Sequence, residues 1–401
     1  MKNHVMPLLV TLALLTGIQL ACAQPALIPL YSFTGGNDGA NPLAGLVQAS
    51  DGNLYGTASA GGPINSGTIF RITASGVLTP LYSFTNGNDG ATPIAGLMQA
   101  SDGNLYGTAS AGGANGFGTI FRITTNDVFT PLYSFTNGND GATPYAGLVQ
   151  ASDGNLYGTA IGGGTNDCGT IFRITTSGVF TPLYSFTFGN DGGGPEAGLV
   201  QASDGNLYGT AYLGGTNGFF GTIFRITTNS VFTPLYSFSN GNDGAYPVAG
   251  LVQASDGNLY GTAEDGGTIG DGTIFRITTN GVFTSLYSFT YGNDGANPTT
   301  ALVQASNGNL YGTTIFAGGF NSYGTVFEYA IAPPPLGIFA SSNQSILFWP
   351  AWATNCIVQS TTDLASPNWV TLSNAVVTIA TTNTVTVTNA LSAQFFRLAT
   401  P

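Results

Sequence analysis

Charge is the first thing this chain lacks. Asp, Glu, Lys and Arg together make up only 6% of its 401 residues. A soluble helical domain needs charged residues to solvate its outward faces, so the composition argues against helices and for a turn-rich all-β fold. Histidine and lysine are each present once, as His4 and Lys2. Removal of an N-terminal leader would take both away, which excludes imidazole and amine chemistry and the usual zinc ligand sets. Three cysteines, Cys22, Cys168 and Cys356, are too few and too scattered for a disulfide framework. With 7 basic and 19 acidic residues the formal net charge is -12. That speaks against nucleic acid or an anionic membrane surface as partner, since both need clustered Lys or Arg.

The first residues read as a secretory signal. Lys2 and His4 make a polar start, an apolar run extends from Met6 to Leu20, and Ala21-Cys22-Ala23 forms an A-x-A cleavage site. Residues 1–23 are therefore expected to be a signal peptide and the protein to be secreted or at the cell surface. Acylation at Cys22 fits less well, because Gln19 and Leu20 depart from the lipoprotein pattern. No later apolar run is long enough to predict a membrane span.

What the chain has in abundance is glycine, with 59 copies, and a repeated phrase. SDGNLYGT begins at Ser50, Ser101, Ser152, Ser203 and Ser255, and returns as SNGNLYGT at Ser306. LYSF recurs from Leu30 to Leu286 with a period of 51 or 52 residues. Each unit holds four short apolar runs of the types AGLVQA, LYGTA, GTIFRI and TPLYSF. They are too short and too rich in Gly and β-branched residues for helices, and four strands per unit is a propeller blade. Asp-Gly and similar pairs close two of the connections as tight turns. The strand 2–3 and strand 4–1 connections are long, and alternation of an up-and-down blade places both on one face. Proline recurs in the fourth run, at Pro29, Pro80, Pro131, Pro182 and Pro234, which predicts an outer edge strand. The sixth unit stops after GTVFEY, so residues 27–33 are expected to supply its missing fourth strand and close a six-bladed propeller over 24–331.

The unit DGNLYGT–GG–G–GTIF–I–LYSF resembles the Gloeo/Verruco (GloVer) repeat of secreted bacterial proteins. The resemblance implies an exported β-propeller-like array followed by a variable C-terminal attachment module, and no established activity. After a Pro-rich linker at 332–336, residues 337–401 carry Trp349, Trp352 and Trp369 and strand-like runs such as SILFWP and TVTVT. This tail resembles a small fibronectin III-like β-sandwich, with core packing as the expected role of its tryptophans.

Candidate chemistry sits in the long loops. Asp38, Asp89, Asp140, Asp191, Asp243 and Asp294 recur in GNDG and are expected to cap their own turns. If they gather on the long-loop face, a calcium ion is the alternative; no other cofactor is expected. Asp51, Asp102, Asp153, Asp204 and Asp256 recur in the tight turn, opposite Arg71, Arg122, Arg173, Arg225 and Arg276. The sixth unit replaces both types, with Asn307 and Glu328, which suggests an Asp–Arg ion pair. Residues that break the repeat are the better functional candidates: Phe117, Tyr145, Phe188, Tyr212, Phe219, Phe220, Tyr291, Phe316, Phe320 and Tyr323 for ligand binding, with Asp167 and Cys168 nearby. Aromatic rings beside carboxylates suit a sugar, although some of these rings could equally plug gaps between blades. The leading expectation is a monomeric, non-enzymatic binding or adhesion protein whose partner is an extracellular carbohydrate or a surface protein. The alternative is a carbohydrate-active enzyme using two of Glu196, Glu264, Asp265 and Asp271, because glycoside hydrolysis needs only a pair of carboxylates.

Overall fold

The computed structural model describes residues 29–316, 323–331, 336–340, 344–350, 353, 356–365, 367–379, 382–388 and 394–399. The expected signal peptide and the prolines of the linker lie outside these residues. Among them there is no helix, and every sheet is antiparallel. None of the described helices could cross a membrane, because there are none to do so.

Five units form four-stranded sheets whose strands follow chain order. In the second unit these are Met98–Gln99, Leu105–Ala109, Thr119–Ile123 and Phe129–Ser134. The Asp-Gly turn returns the chain in register, with Gln99 opposite Leu105. The middle of the second strand is always glycine for a packing reason. A Cβ on Gly107 would lie 2.6 Å from the Phe121 ring and 2.7 Å from Leu97. The larger side chains of the neighbouring strands fill the space a methyl would need. The outer strand is an edge, as its prolines predict. It carries a bulge opposite Ile120 and Phe121, where Tyr133 and Pro131 pair and Leu132 is left over.

Successive sheets stack face to face. Tyr106, Ile120 and Phe135 of the second unit share one core with Leu148, Leu156, Phe172 and Ile174 of the third, and the same set recurs along the array. Backbone-directed bonds stitch each junction. Thr57 Oγ1 donates to Ala95 O at 2.9 Å, and the pattern repeats through Thr262 and Thr300. The Ala-Gly segments of the first five units, with Thr299 and Ala301 of the sixth, line a central channel of about 530 Å³.

The expected closing strand does not form. Pro29–Phe33 has no strand pairing, and the sixth unit is a three-stranded sheet of Val303–Gln304, Leu310–Thr314 and Thr325–Tyr329. The N-terminal segment packs against the first sheet as the fourth strand of each unit packs against the next unit. Phe33 meets Phe70 edge-on at 5.1 Å, as Phe84 meets Phe121 at 5.4 Å. The break lies between the sixth unit and the first. Thr300 stands where other units have alanine, and its hydroxyl pairs with Thr313 at 2.9 Å. The threonine that stitches every other junction thereby finds its partner within its own unit.

In the tail, one sheet (Gly337–Ala340, Gln344–Pro350, Thr382–Thr388, Val377–Ile379) and a second (Val370–Thr371, Ile357–Thr361, Phe395–Ala399) share a core. Leu347, Trp349, Val385 and Val387 come from the first sheet, Val358 and Leu398 from the second. Trp349 is a core residue whose indole N–H donates to Ala353 O at 3.2 Å. Trp369 lies beneath the Arg397 guanidinium at 4.4 Å, while Trp352 falls outside the described residues.

Candidate active site

The two long loops of each unit lie side by side. Ala91 of the strand 4–1 loop bridges to Ala111 of the strand 2–3 loop, and equivalent bridges join Ala40 to Ala60 and Ala245 to Asp265. The alternation expected from the repeat therefore holds, and one face carries the repeat-breaking residues.

The GNDG aspartates do not gather at the channel mouth. Asp89 is buried in its own loop, where it accepts the Thr85 N–H at 2.7 Å, the Thr85 hydroxyl at 2.6 Å, the Tyr82 hydroxyl at 2.9 Å and the Gly87 N–H at 3.1 Å. Asp38, Asp140, Asp191, Asp243 and Asp294 repeat the arrangement with only minor variation. The Thr34 hydroxyl and N–H hold Asp38 down to about 2. Burial pushes Asp89 up, but the Thr85 and Tyr82 bonds outweigh it and leave this carboxyl below its ordinary range. No group of three acidic, Cys or His side chains among the described residues converges as metal ligands would.

The four carboxylates that break the repeat are linked pairwise by charge across the fourth and fifth units, Glu196 acting on Glu264, Asp265 on Glu264 and Asp271 on Asp265. Glu196 lines the central channel beside Tyr145. Burial raises the Glu196 carboxyl above its usual range. Glu264 follows the second strand of the fifth unit, and its N–H donates to Tyr246 O at 3.1 Å. Burial raises Glu264 too, and the negative charges of Asp265 and Glu196 add to the effect. Asp265 is raised by burial and by Asp271, against a bond that Asn297 Nδ2 donates to its Oδ1 at 2.9 Å. The Tyr212 hydroxyl is held up by burial, then by Glu264 and Glu196, so it lies within the field of both glutamates.

Two residues of this site, Tyr246 and Asn297, were not expected. They occupy one column of the repeat with Asn41, Thr92, Thr143 and Gly194. Every residue in that column has left-handed backbone, with φ between 54° at Asn41 and 59° at Gly194. The Tyr246 ring sits 5.1 Å from Tyr212 and 5.8 Å from Phe220. The available signal was a tyrosine where two units carry threonine.

The aromatic candidates divide. Phe117 and Phe220 are half-buried against inter-sheet cores and plug gaps, as does Cys168. Asp167 caps its own loop through the Gly163 N–H at 2.8 Å. Tyr145 is exposed at the channel, and Tyr291, Phe316 and Tyr323 are exposed on the loops of the fifth and sixth units. Phe320 lies outside the described residues. Phe188 and Phe219 stack on each other at 5.4 Å with an interplanar angle of 25°.

On the opposite face the expected Asp–Arg ion pair is replaced by a tyrosine bond. Asp102 accepts the Tyr106 hydroxyl at 2.7 Å and the Asn104 amide at 3.0 Å, while Arg122 Nη2 donates to Thr130 Oγ1 at 3.4 Å. Burial pushes the Asp102 carboxyl up, but the Tyr106 and Asn104 bonds, with a smaller contribution from the Arg122 charge, hold it below its ordinary range.

The repeat places the chain in a family. The Gloeobacter/Verrucomicrobia repeat matches residues 17–218 and 189–341, and the chain belongs to that repeat family. No curated protein matches it. Among solved structures it is similar to the periplasmic gluconolactonase of Pseudomonas aeruginosa, at 14% identity and a TM-score of 0.45, over 90% of this chain and 89% of that one. It is also similar to a puromycin hydrolase, at 12% identity and a TM-score of 0.44, over 77% of this chain and 50% of that one. An α-L-arabinofuranosidase of Clostridium thermocellum is similar at 12% identity and a TM-score of 0.33, over 61% and 93%. These are enzymes, not adhesion modules, and the expectation of a non-enzymatic binding or adhesion protein is corrected accordingly. At such identities the likeness concerns the propeller-like fold and assigns no reaction.

Proposed function

We propose that this protein is a carbohydrate-active enzyme that hydrolyses a neutral glycan with a pair of carboxyl groups. The observation that carries the reading is the convergence of Glu196 and Glu264 from different units, both shifted toward the protonated form, beside Tyr212. A carboxyl that burial raises above its usual range can hold a proton and serve as general acid. Glu264, raised by burial and by two neighbouring charges, is assigned the acid. Glu196 is the partner that ionises once Glu264 holds the proton, and acts as base or nucleophile. Tyr212 and Tyr246 flank them as sugar-stacking rings. The reaction needs no cofactor beyond these side chains.

Glycan neutrality is supported by the loops themselves, which contain no Lys or Arg; the arginines of the array stand in the third strands. The framework is read as a propeller-like array of six units over 24–331, exported through a signal peptide at 1–23, with a fibronectin III-like sandwich at 337–401. The test is hydrolysis of neutral polysaccharides and aryl glycosides by the purified protein. Turnover that is lost in Glu264→Gln and Glu196→Gln but kept in Asp167→Asn is the expected result. Turnover unaffected by either glutamate change refutes the assignment.

A further inference from the structure

Two phenylalanines stand out from the repeat for separate reasons. Phe188 precedes GND in the loop that enters the fourth unit. Asn86, Asn137 and Asn240 fill that column in three units, with φ of 55°, 60° and 59°, while Gly35 and Tyr291 hold it in the first and last loops, Tyr291 at φ 58°. Asparagine tolerates left-handed backbone; phenylalanine does not, yet Phe188 adopts φ 63°. Phe219 is an insertion. The second unit reads ASAGGANGF between LYGT and GTIF, whereas the fourth reads AYLGGTNGFF. Phe117 bridges to Gly112 and Phe220 bridges to Gly214, so Phe220 takes the ordinary column and Phe219 is the extra residue. It too is left-handed, at φ 72°.

Both rings are solvent-exposed, Phe188 at 38% and Phe219 at 54%, and they stack on each other rather than on the core. A substitution and an insertion, both conformationally unfavourable, thus meet to build one flat apolar surface. Neither contributes to the inter-sheet cores. Strain maintained without a packing benefit is characteristic of a binding position. Asn190 is exposed beside this surface, on the wall of an open groove between the outer strands of the third and fourth units. From Phe219 the chain passes to Phe220, whose ring meets Tyr246, which in turn meets Tyr212 at the acidic group.

We propose that Phe188 and Phe219 form an outer subsite that stacks on a sugar ring of a neutral polysaccharide and leads the chain toward Glu196 and Glu264. The proposal rests on the reading of those glutamates as a glycan-hydrolysing pair. Exposed, nearly parallel rings offer flat apolar faces to the C–H face of a pyranose.

Affinity electrophoresis of the full chain in gels containing a β-glucan, a xylan or a mannan tests it, with polygalacturonate as the anionic control. Wild type is expected to be retarded by one neutral polymer and not by polygalacturonate. Phe188→Asn and deletion of Phe219 restore residues or lengths that other units already carry. Each is expected to raise the Tm and to weaken binding roughly threefold to tenfold, the size of one aromatic contact. Unaltered retardation, a lowered Tm, or no retardation of wild type by any neutral polymer overturns the proposal. Phe-dependent retardation without hydrolysis leaves the subsite standing and removes only the catalytic reading.

Discussion

Tyr311 donates its hydroxyl hydrogen to Glu328 Oε1 at 2.8 Å, whereas the equivalent Tyr106 donates to the turn residue Asp102 at 2.7 Å. The sixth unit has moved the carboxylate from the turn to the third strand. Asn307 then reverses its role and donates to Tyr311 at 2.8 Å. The tyrosine is the constant element, and the joint replacement of Asp and Arg preserves its acceptor rather than an ion pair.

Asp102→Ala and Tyr106→Phe are therefore expected to be strongly non-additive. Groups in direct hydrogen-bond contact couple by about 0.5–3 kcal/mol. Urea denaturation of the double-mutant cycle should give coupling in that range, and clearly less for Asp102→Ala with Arg122→Ala. Equal coupling in the two cycles would restore the ion pair as the main interaction.

The unpaired N-terminal segment makes a second expectation. Phe135 is wholly buried between the second and third units, while Phe33 lies half-exposed on the first sheet. Phe135→Ala should cost about 3–5 kcal/mol, the usual range for a buried phenylalanine. Phe33→Ala should cost less than half as much. Equal losses in thermal or chemical unfolding would mean that the sixth and first units are joined in solution.

Asp89 supplies a pH dependence. Its folded-state pKa is lowered, so the stability it adds is present above the unfolded value near ~4 and is lost as pH falls through the folded value. Asp89→Asn should destabilise at pH 7 by about 2–3 kcal/mol, because a charged acceptor of several bonds is lost. The gap to wild type should close below about pH 3. A gap that persists undiminished in acid would show that shape rather than charge matters at this position.

Glu264 has the opposite sign. Its folded-state pKa is raised, so its contribution to stability is full below the unfolded value near ~4.3 and is lost as pH rises through the folded value. Glu264→Gln should therefore melt higher than wild type at pH 7 and equal to it near pH 4. Turnover should fall about 10²–10⁴-fold, the usual contribution of a general acid. A variant that is less stable at neutral pH would contradict the burial and repulsion described for this carboxyl.

Much of the architecture is legible from local rules. Glycine recurs mid-strand because Phe121 and Leu97 occupy the space of its Cβ, and proline recurs in the outer strand because that strand is an edge. The Thr300–Thr313 hydroxyl pair, which replaces the inter-unit bond at the open end, is not legible in the sequence because it depends on two side chains meeting within the sixth unit. The acidic candidates are visible as departures from the repeat, but their meeting across two units is a property of the stacked sheets. Tyr246 escaped notice because its column is loop in sequence and becomes a special position only through its shared φ. Phe117 and Phe219 look alike as letters, and only an insertion count separates the plug from the exposed ring.

The side chain of Gln99 reaches back to accept the Ser50 N–H at 2.8 Å, and Gln150, Gln201, Gln253 and Gln304 do the same for the units before them. These straps all run in one direction along the chain. A row of identical junctions that does not come full circle has ends, and ends can fray without disturbing the middle. Hydrogen exchange should accordingly proceed inward from the first and sixth units, leaving the third and fourth as the slowest-exchanging part of the molecule. The stacked phenylalanines and Glu196 belong to the fourth unit and Glu264 to the fifth, so the proposed sugar-binding surface lies in the portion of the array that opens last.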